Sequence, residues 1–217
     1  MKKTLSLLLF LVSATSFAFS QSPESASSCQ LSSAQMPAIR GIKLGMTINE
    51  LIQVLYDDKT SIDITRLISD KKGYPNYGQY TLSFGTSSSE RGLPYLAREN
   101  FPGIDHIGVV FLDDRVTSFS IGYHSLQQDS SAPIWNSPQE LIGKFAKTYK
   151  LPEPPAWFIE STWAASLTCT GFKIVLNAAT SQGGSTFIEA KLLKDFASII
   201  KARREEDMQK RREAFKP

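Results

Sequence analysis

Apolar residues recur at helical spacing in the segment that follows Thr47. Positions i, i+3, i+4 and i+7 of this segment are apolar, which predicts a helix with one stripe against a core. Thr47 can accept the amide of Glu50 while the Glu50 carboxylate bonds back to the Thr47 amide, an arrangement called a capping box. We therefore expect a helix that buries Ile48, Leu51, Ile52 and Leu55.

The same pattern returns later in the chain. Ser137 takes the capping position, Pro138 stands at the first helical position and Glu140 at the box position. This pattern predicts a second helix that ends before a cluster of prolines. Its expected buried stripe is Leu141, Ile142, Phe145 and Tyr149, and the prolines are Pro152, Pro154 and Pro155.

Each predicted helix is followed by three segments in which apolar and polar residues alternate, which is typical of half-buried strands. In the first half these segments are 80–84, 106–112 and 116–124. In the second half they are 163–169, 172–178 and 186–193. The chain therefore repeats the order of one helix and three strands.

Strand register follows from the requirement that apolar residues share one face. In the second half, a two-residue turn at Thr170 and Gly171 meets this requirement. It also places Lys173, Val175 and Asn177 on the polar face. In the first half, a three-residue connection sets Ile107, Val109 and Phe111 opposite Ile121, Phe119 and Thr117, respectively.

This order predicts an α+β fold in which two α-β-β-β repeats form one antiparallel sheet with the helices packed on one face. For residues 60–78, the sequence does not decide between a short helix and an irregular conformation. The predicted units are a signal peptide at 1–20, a flexible leader at 21–36, a first repeat at 37–126, a second repeat at 127–195 and a charged helical tail at 196–217.

Residues 1–20 have the pattern of a secretory signal peptide. Lys2 and Lys3 precede an apolar run at 5–12, and small residues follow it. The run is shorter than the roughly 20 residues that a membrane span needs. We expect cleavage before Gln21 and a periplasmic or secreted protein, the alternative being an uncleaved anchor.

Residues 41–51, with the motif Gly-Met-Thr-Ile-Asn-Glu-Leu at 45–51, resemble a helix start in the SmpA/OmlA family of small outer-membrane assembly lipoproteins. The duplicated plan over about 40–195 is similar to the β-lactamase inhibitor protein fold. The resemblance implies this helix-plus-sheet architecture. It carries over neither membrane anchoring, because no cysteine follows the signal directly, nor any inhibitor contact residue.

The composition is that of an ordinary globular protein, with 41% hydrophobic and 21% charged residues. A net charge of +3 from 24 basic and 21 acidic residues is too balanced to indicate nucleic-acid binding. The sequence holds none of the metal, nucleophile-elbow or phosphate-loop motifs of common enzymes. We expect no catalytic residue, no cofactor and no resident metal.

Two features keep alternative chemistry open. His106 is expected opposite Gly122, with His124 as a diagonal neighbour, so the two histidines are either exposed side chains or a pair that shares an ion. Asp105 is expected to point away from them. The acidic pair at 113–114 is expected to fill a hairpin turn, and the pair at 57–58 to end the first helix.

Cysteines and tryptophans bear on the core and the compartment. Cys29 and Cys169 either form a disulfide, as exported thiols commonly do, or remain a free cysteine and a small core residue. The three tryptophans are expected to pack in the core rather than to form a ligand-stacking surface. They are Trp135, Trp157 and Trp163.

The expected function is that of a non-catalytic protein-interaction module, with an unknown partner in the cell envelope or the extracellular space. The alternatives are a lipid or small-molecule carrier with a pocket between sheet and helices, and a hydrolase with dispersed carboxylates. Membrane contact is not expected, although the basic tail leaves a contact with anionic lipid open. The candidate partner-binding residues are Lys173, Val175, Asn177, Arg203, Arg204 and Arg211.

Overall fold

The computed structural model describes residues 29–55, 77–85, 101–124, 134–179 and 185–215. Within these ranges the chain forms three α-helices, one short 3-10 helix (Ser33–Gln35) and eight strands of one mixed sheet, an α+β fold. The strands are β1 (Cys29–Ser32), β2 (Gln79–Gly85), β3 (Ile104–Leu112), β4 (Arg115–Tyr123), β5 (Phe158–Ile159), β6 (Ala164–Thr170), β7 (Phe172–Asn177) and β8 (Phe187–Leu192). The helices are α1 (Ile48–Leu55), α2 (Pro138–Tyr149) and α3 (Phe196–Ala214).

Strand order in the sheet is β1-β6-β7-β8-β4-β3-β2, with β5 paired to β6. The β1–β6 pair is parallel, and the other pairs are antiparallel. The predicted antiparallel sheet is therefore corrected to a mixed one. The last strands of the two halves, β4 and β8, are neighbours at its centre.

Helix α1 begins as its capping box predicts. The Glu50 amide donates to Thr47 Oγ1 at 3.2 Å, and the Thr47 amide donates to Glu50 Oε2 at 2.7 Å. All four residues of the expected stripe are buried in the core. The box fixes where the helix starts, and the stripe fixes which side it buries.

Helix α2 is capped by Ser137, whose Oγ accepts the Glu140 amide at 3.3 Å. The Glu140 carboxylate differs from the expected box, because it accepts the amide of Asn136 at 3.0 Å. The helix ends at Tyr149, before the prolines, and it buries Leu141, Ile142 and Phe145 of the expected stripe together with Pro138 and Ala146. Tyr149, the fourth residue of that stripe, is only partly buried.

The β3–β4 hairpin keeps the predicted register along most of its length, with Ile107 opposite Ile121 and Val109 opposite Phe119. At the tip the prediction is wrong, since Phe111 pairs with Val116 rather than with Thr117. Two left-handed residues at 113–114 form a tight turn, and a register shift between Val110 and Phe111 restores the alternation.

The β6–β7 hairpin confirms the predicted pairing. Leu167 lies opposite Ile174 and Thr168 opposite Lys173, while Gly171 has φ of 92° in the connecting turn. Alternate residues along β7 are buried and partly exposed. One face of the sheet, the inner face, is therefore buried, and α2 contacts it at β6 and β7.

Residues 29–36 are ordered, which corrects the flexible leader predicted over that part of 21–36. β1 pairs with the edge strand β6, and a disulfide joins Cys29 to Cys169. Met36 is buried in the core. Residues 21–28 lie outside the described residues, as do the signal peptide, the acidic pair at 57–58 and most of 60–78.

The tail forms helix α3, which carries the i,i+4 ion pairs Glu206–Lys210 at 2.6 Å and Asp207–Arg211 at 2.9 Å. Ile200 is its buried residue. Among the described helices, α3 included, none is both long and apolar enough to cross a membrane.

Two of the three tryptophans are in the core, as predicted. Trp135 and Trp157 are buried, but Trp163 is 37% exposed. The expectation for Trp163 is wrong, since this residue stands directly before β6 at the end of the hairpin. The Trp163 carbonyl still accepts the Ala178 amide at 2.8 Å, so the backbone pairing continues to this residue while its side chain stays partly exposed.

Candidate functional site

The outer face of the sheet is the side opposite the buried inner face, and its centre is formed by β3, β4, β7 and β8. A continuous cross-strand row runs from Val175 through Glu189 and Ser120 to Gly108. The side chains or glycines that make up this outer face are His106, Gly108, Val110, Ser118, Ser120, Gly122, Lys173, Val175, Asn177, Phe187, Glu189 and Lys191. Apart from Gly122, all of them are partly exposed.

Charged groups on the outer face are paired with one another. Lys173 Nζ lies 2.7 Å from Glu160 Oε1, and Lys191 Nζ lies 3.6 Å from Glu189 Oε1. The hydrogen bonds from Lys173 and then Ser166 lower the pKa of Glu160, so this carboxylate stays ionised at neutral pH. Lys173, a candidate partner-binding residue from the sequence, is thus held in an ion pair.

Small residues make the middle of the outer face shallow. The His106 ring lies against Gly122, where a Cβ atom would collide with it. The same ring is 6.4 Å from the Phe187 ring, measured between centroids. Phe187 and His106 therefore flank a glycine, and their apolar surfaces reach solvent there.

Asp105 lies beside both histidines, contrary to the expectation that it points away. Its Oδ2 is 3.3 Å from His106 Nδ1, and its Oδ1 is 3.8 Å from His124 Nδ1. The reason is a register irregularity between Ile104 and His106, which breaks the alternation at Asp105. No group of three or more metal-binding side chains occurs within the described ranges.

Phe158 stands at one edge of the outer face. It pairs with Ser166, which in turn pairs with Val175, so it extends the central row across β5. Phe158 is 70% exposed. Sequence reasoning missed it because β5 has only two residues, too few for an alternating pattern to be detected.

Helix α3 bounds the outer face at the end where the β3–β4 turn lies. A groove of about 630 Å³ runs between the first residues of α3 and the strands, and Val110, Ser118 and Lys191 line it. The face is therefore open in its middle and walled at this end.

The three basic candidates of the tail all make contacts within the chain. Arg203 donates to both carboxylate oxygens of Asp113 at 2.8 Å, and to the Tyr77 carbonyl at 2.9 Å. Arg204 lies over the Tyr77 ring at 5.1 Å, and Arg211 pairs with Asp207. The structure does not bring them together with Lys173, Val175 and Asn177 in one site.

Comparison of the chain with protein-family models, with curated proteins and with solved structures found no match. The resemblance to the lipoprotein helix start and to the inhibitor fold therefore stays a prediction.

Proposed function

We propose that this chain is an exported, non-catalytic protein-interaction module, and that the outer face binds a protein partner. The observation that carries the proposal is the exposure of this face across four neighbouring strands. Aromatic and β-branched side chains, Phe158, Phe187 and Val175, reach solvent there beside paired charges. Interfaces use such a mixture, with apolar anchors inside a polar rim.

The paired charges favour recognition of shape over attraction of one charge sign. Lys173 and Lys191 each have an acidic neighbour within 4 Å, so the net charge of these pairs is zero. A partner that covers them keeps the pairs and adds contacts to the aromatic groups. A protein surface fits this requirement better than a polyanion, whose affinity comes from releasing counterions.

We propose export on two grounds. The pattern at 1–20 is that of a signal peptide, and the Cys29–Cys169 disulfide is stable in an oxidising compartment such as the periplasm or the exterior.

We also propose that the two halves of the chain are tandem α-β-β-β repeats. The strand order from β6 to β2 supports this proposal, because it places the third strand of each half at the centre of the sheet.

The test compares two matched substitutions to arginine. Asn177→Arg adds a long cation to the outer face, whereas Gln53→Arg adds one to the exposed side of α1. Both proteins, without residues 1–20, are immobilised and used to capture proteins from the native envelope fraction and the culture medium. We expect a protein that the unchanged chain and Gln53→Arg retain and that Asn177→Arg loses.

Capture that is equal for both variants contradicts the assignment of the outer face. Thermal unfolding midpoints of the two variants should stay close to that of the unchanged chain, because neither position is in the core. Turnover of a substrate in a hydrolase screen would instead support the dispersed-carboxylate alternative.

A further inference from the structure

A second recess lies on the other side of the sheet and is lined by residues of α2 and by residues at the ends of β4 and β8. It is a cleft of about 330 Å³ and contains residues from both halves of the chain. Ligand pockets of small molecules begin at about this size. The residues on which the argument rests are Arg40, Tyr123, Trp135, Lys144, Phe145 and Tyr149.

Aromatic rings form the walls of this cleft. The Phe145 and Tyr149 ring centroids are 4.7 Å apart and tilted by 53°. Trp135 packs in the core, as predicted, but it also lines the cleft. Its indole is held in place because its Nε1 donates to Thr186 Oγ1 at 3.0 Å. These fixed walls can stack on a flat ligand with little loss of side-chain freedom.

Two cations border the rings. The ammonium of Lys144 is 5.6 Å from the Trp135 ring centroid, and the guanidinium of Arg40 is 6.0 Å from that of Tyr123. Unlike Lys173 and Arg203, neither has a carboxylate within 4 Å among the residues that the structure describes. The hydrogen bond from Arg40 goes to the Pro102 carbonyl at 3.4 Å.

Neutral hydroxyl groups complete the polar lining. Burial raises the pKa of Tyr149, so its hydroxyl keeps its proton at neutral pH. Thr148 adds a hydroxyl that donates to the Lys144 carbonyl at 2.7 Å. No acidic residue lines the cleft within the described part of the chain.

We propose that this cleft binds a small aromatic carboxylate, with the ring stacked among Trp135, Phe145 and Tyr149 and the carboxylate between Arg40 and Lys144. We infer a negative charge on the ligand because Arg40 and Lys144 have no acidic partner within 4 Å among the described residues. We infer a flat apolar ring because aromatic side chains form the walls of the cleft. This site is separate from the outer face, so it adds a ligand to the interaction module rather than replacing its partner.

The test uses two probes of nearly equal shape, naphthalene-2-carboxylate and its neutral amide, naphthalene-2-carboxamide. The protein used is the chain from residue 21 to residue 217. Binding is followed by the indole N–H resonance of Trp135 in the NMR spectrum, which is assigned by its loss in the variant Trp135→Phe. We expect the carboxylate to shift this resonance at submillimolar concentration. The amide should bind about tenfold more weakly, because it lacks the charge-assisted hydrogen bonds.

Lys144→Gln and Lys147→Gln form a matched pair, since both remove one exposed lysine from α2 and only Lys144 lines the cleft. We expect Lys144→Gln to weaken carboxylate binding by about threefold or more, and Lys147→Gln by less than about twofold. Both should keep the circular dichroism spectrum of the unchanged chain.

Three results overturn the proposal. They are no shift of the Trp135 resonance up to about 5 mM carboxylate, equal affinity for acid and amide, and equal loss in the two lysine variants. Asn177→Arg should bind the probe normally, so failure of the cleft and failure of the outer face are distinguished.

Discussion

Ser137 and Thr47 each precede a helix, and each side-chain oxygen accepts the amide three residues on. Both were predicted from sequence because capping depends on residues that are adjacent in the chain. The same is true of Gly171, whose left-handed backbone suits the two-residue turn. At the scale of single residues, local chemistry was sufficient for these positions.

Removing the cap of α2 should destabilise the protein measurably. We expect Ser137→Ala to lower the free energy of unfolding by about 1 kcal/mol, because the Glu140 amide loses its acceptor. Thr148→Ala removes a hydroxyl from the last turns of the same helix and serves as the control. Urea unfolding that shows equal effects of the two variants would contradict this role of Ser137.

Other single-residue expectations failed because they depended on where a strand starts or loses its register. Asp105 turned toward His106 and His124 at a register irregularity. Trp163 stands at the end of the β6–β7 hairpin and is partly exposed, although its carbonyl accepts the Ala178 amide. Neither boundary is visible in the alternation of apolar residues, since a shift by one residue changes the face.

At the scale of elements, the apolar pattern predicted both hairpins, α1 and α2, and the spacing of opposite charges in the tail indicated α3. It did not predict how α3 is held. Arg203 of α3 makes two hydrogen bonds to Asp113, in the β3–β4 turn, and a third to Tyr77. Contacts between residues so far apart in the chain leave no sequence signal.

Asp113→Asn should loosen α3 without disturbing the turn, because asparagine also tolerates the left-handed backbone found at this position. We expect faster hydrogen exchange in residues 196–214 and unchanged exchange in β3 and β4. The control is Asp114→Asn, in the same turn, where the side chain accepts from the Tyr80 hydroxyl instead. Equal exchange in both variants would show that the Asp113–Arg203 pair does not hold the helix.

The same contact predicts a dependence on pH. The hydrogen bonds from Arg203 lower the pKa of Asp113 in the folded state. Its contribution is therefore complete above the unfolded pKa of about 3.9 and is lost as the pH falls through the lower folded value. Exchange in α3 should rise in that acidic window in the unchanged chain, and Asp113→Asn should not show this step.

At the scale of the whole molecule, the sequence predicted an α+β fold with one sheet, but not strand β1. Residues 29–32 are mostly polar, and their pairing with β6 joins distant parts of the chain. The sequence left open whether Cys29 and Cys169 form a disulfide or stay unpaired, because the spacing of two cysteines does not determine whether they are close in the fold. The sequence predicted the part of the outer face that lies in β7, whereas the positions of Phe158 and Phe187 on this face became known only from the structure.

Loss of the Cys29–Cys169 disulfide should be costly because it closes a loop with a sequence separation of 140 residues. The chain-entropy estimate for such a loop is about 5 kcal/mol. We expect the Cys29→Ala/Cys169→Ala variant to unfold at clearly lower urea concentration than the oxidised chain, and to exchange hydrogen faster in residues 29–35. An unchanged midpoint, with β1 still protected, would contradict this contribution.

The central claim is that the outer face contacts a protein partner, and photo-crosslinking in the native cell tests it most directly. Benzoylphenylalanine is placed at Phe187, on the outer face, or at Gln53, on the exposed side of α1. The account predicts a discrete protein adduct from position 187 and none from position 53. Adducts from position 53 alone, or none from 187 while the protein is exported and folded, would contradict it.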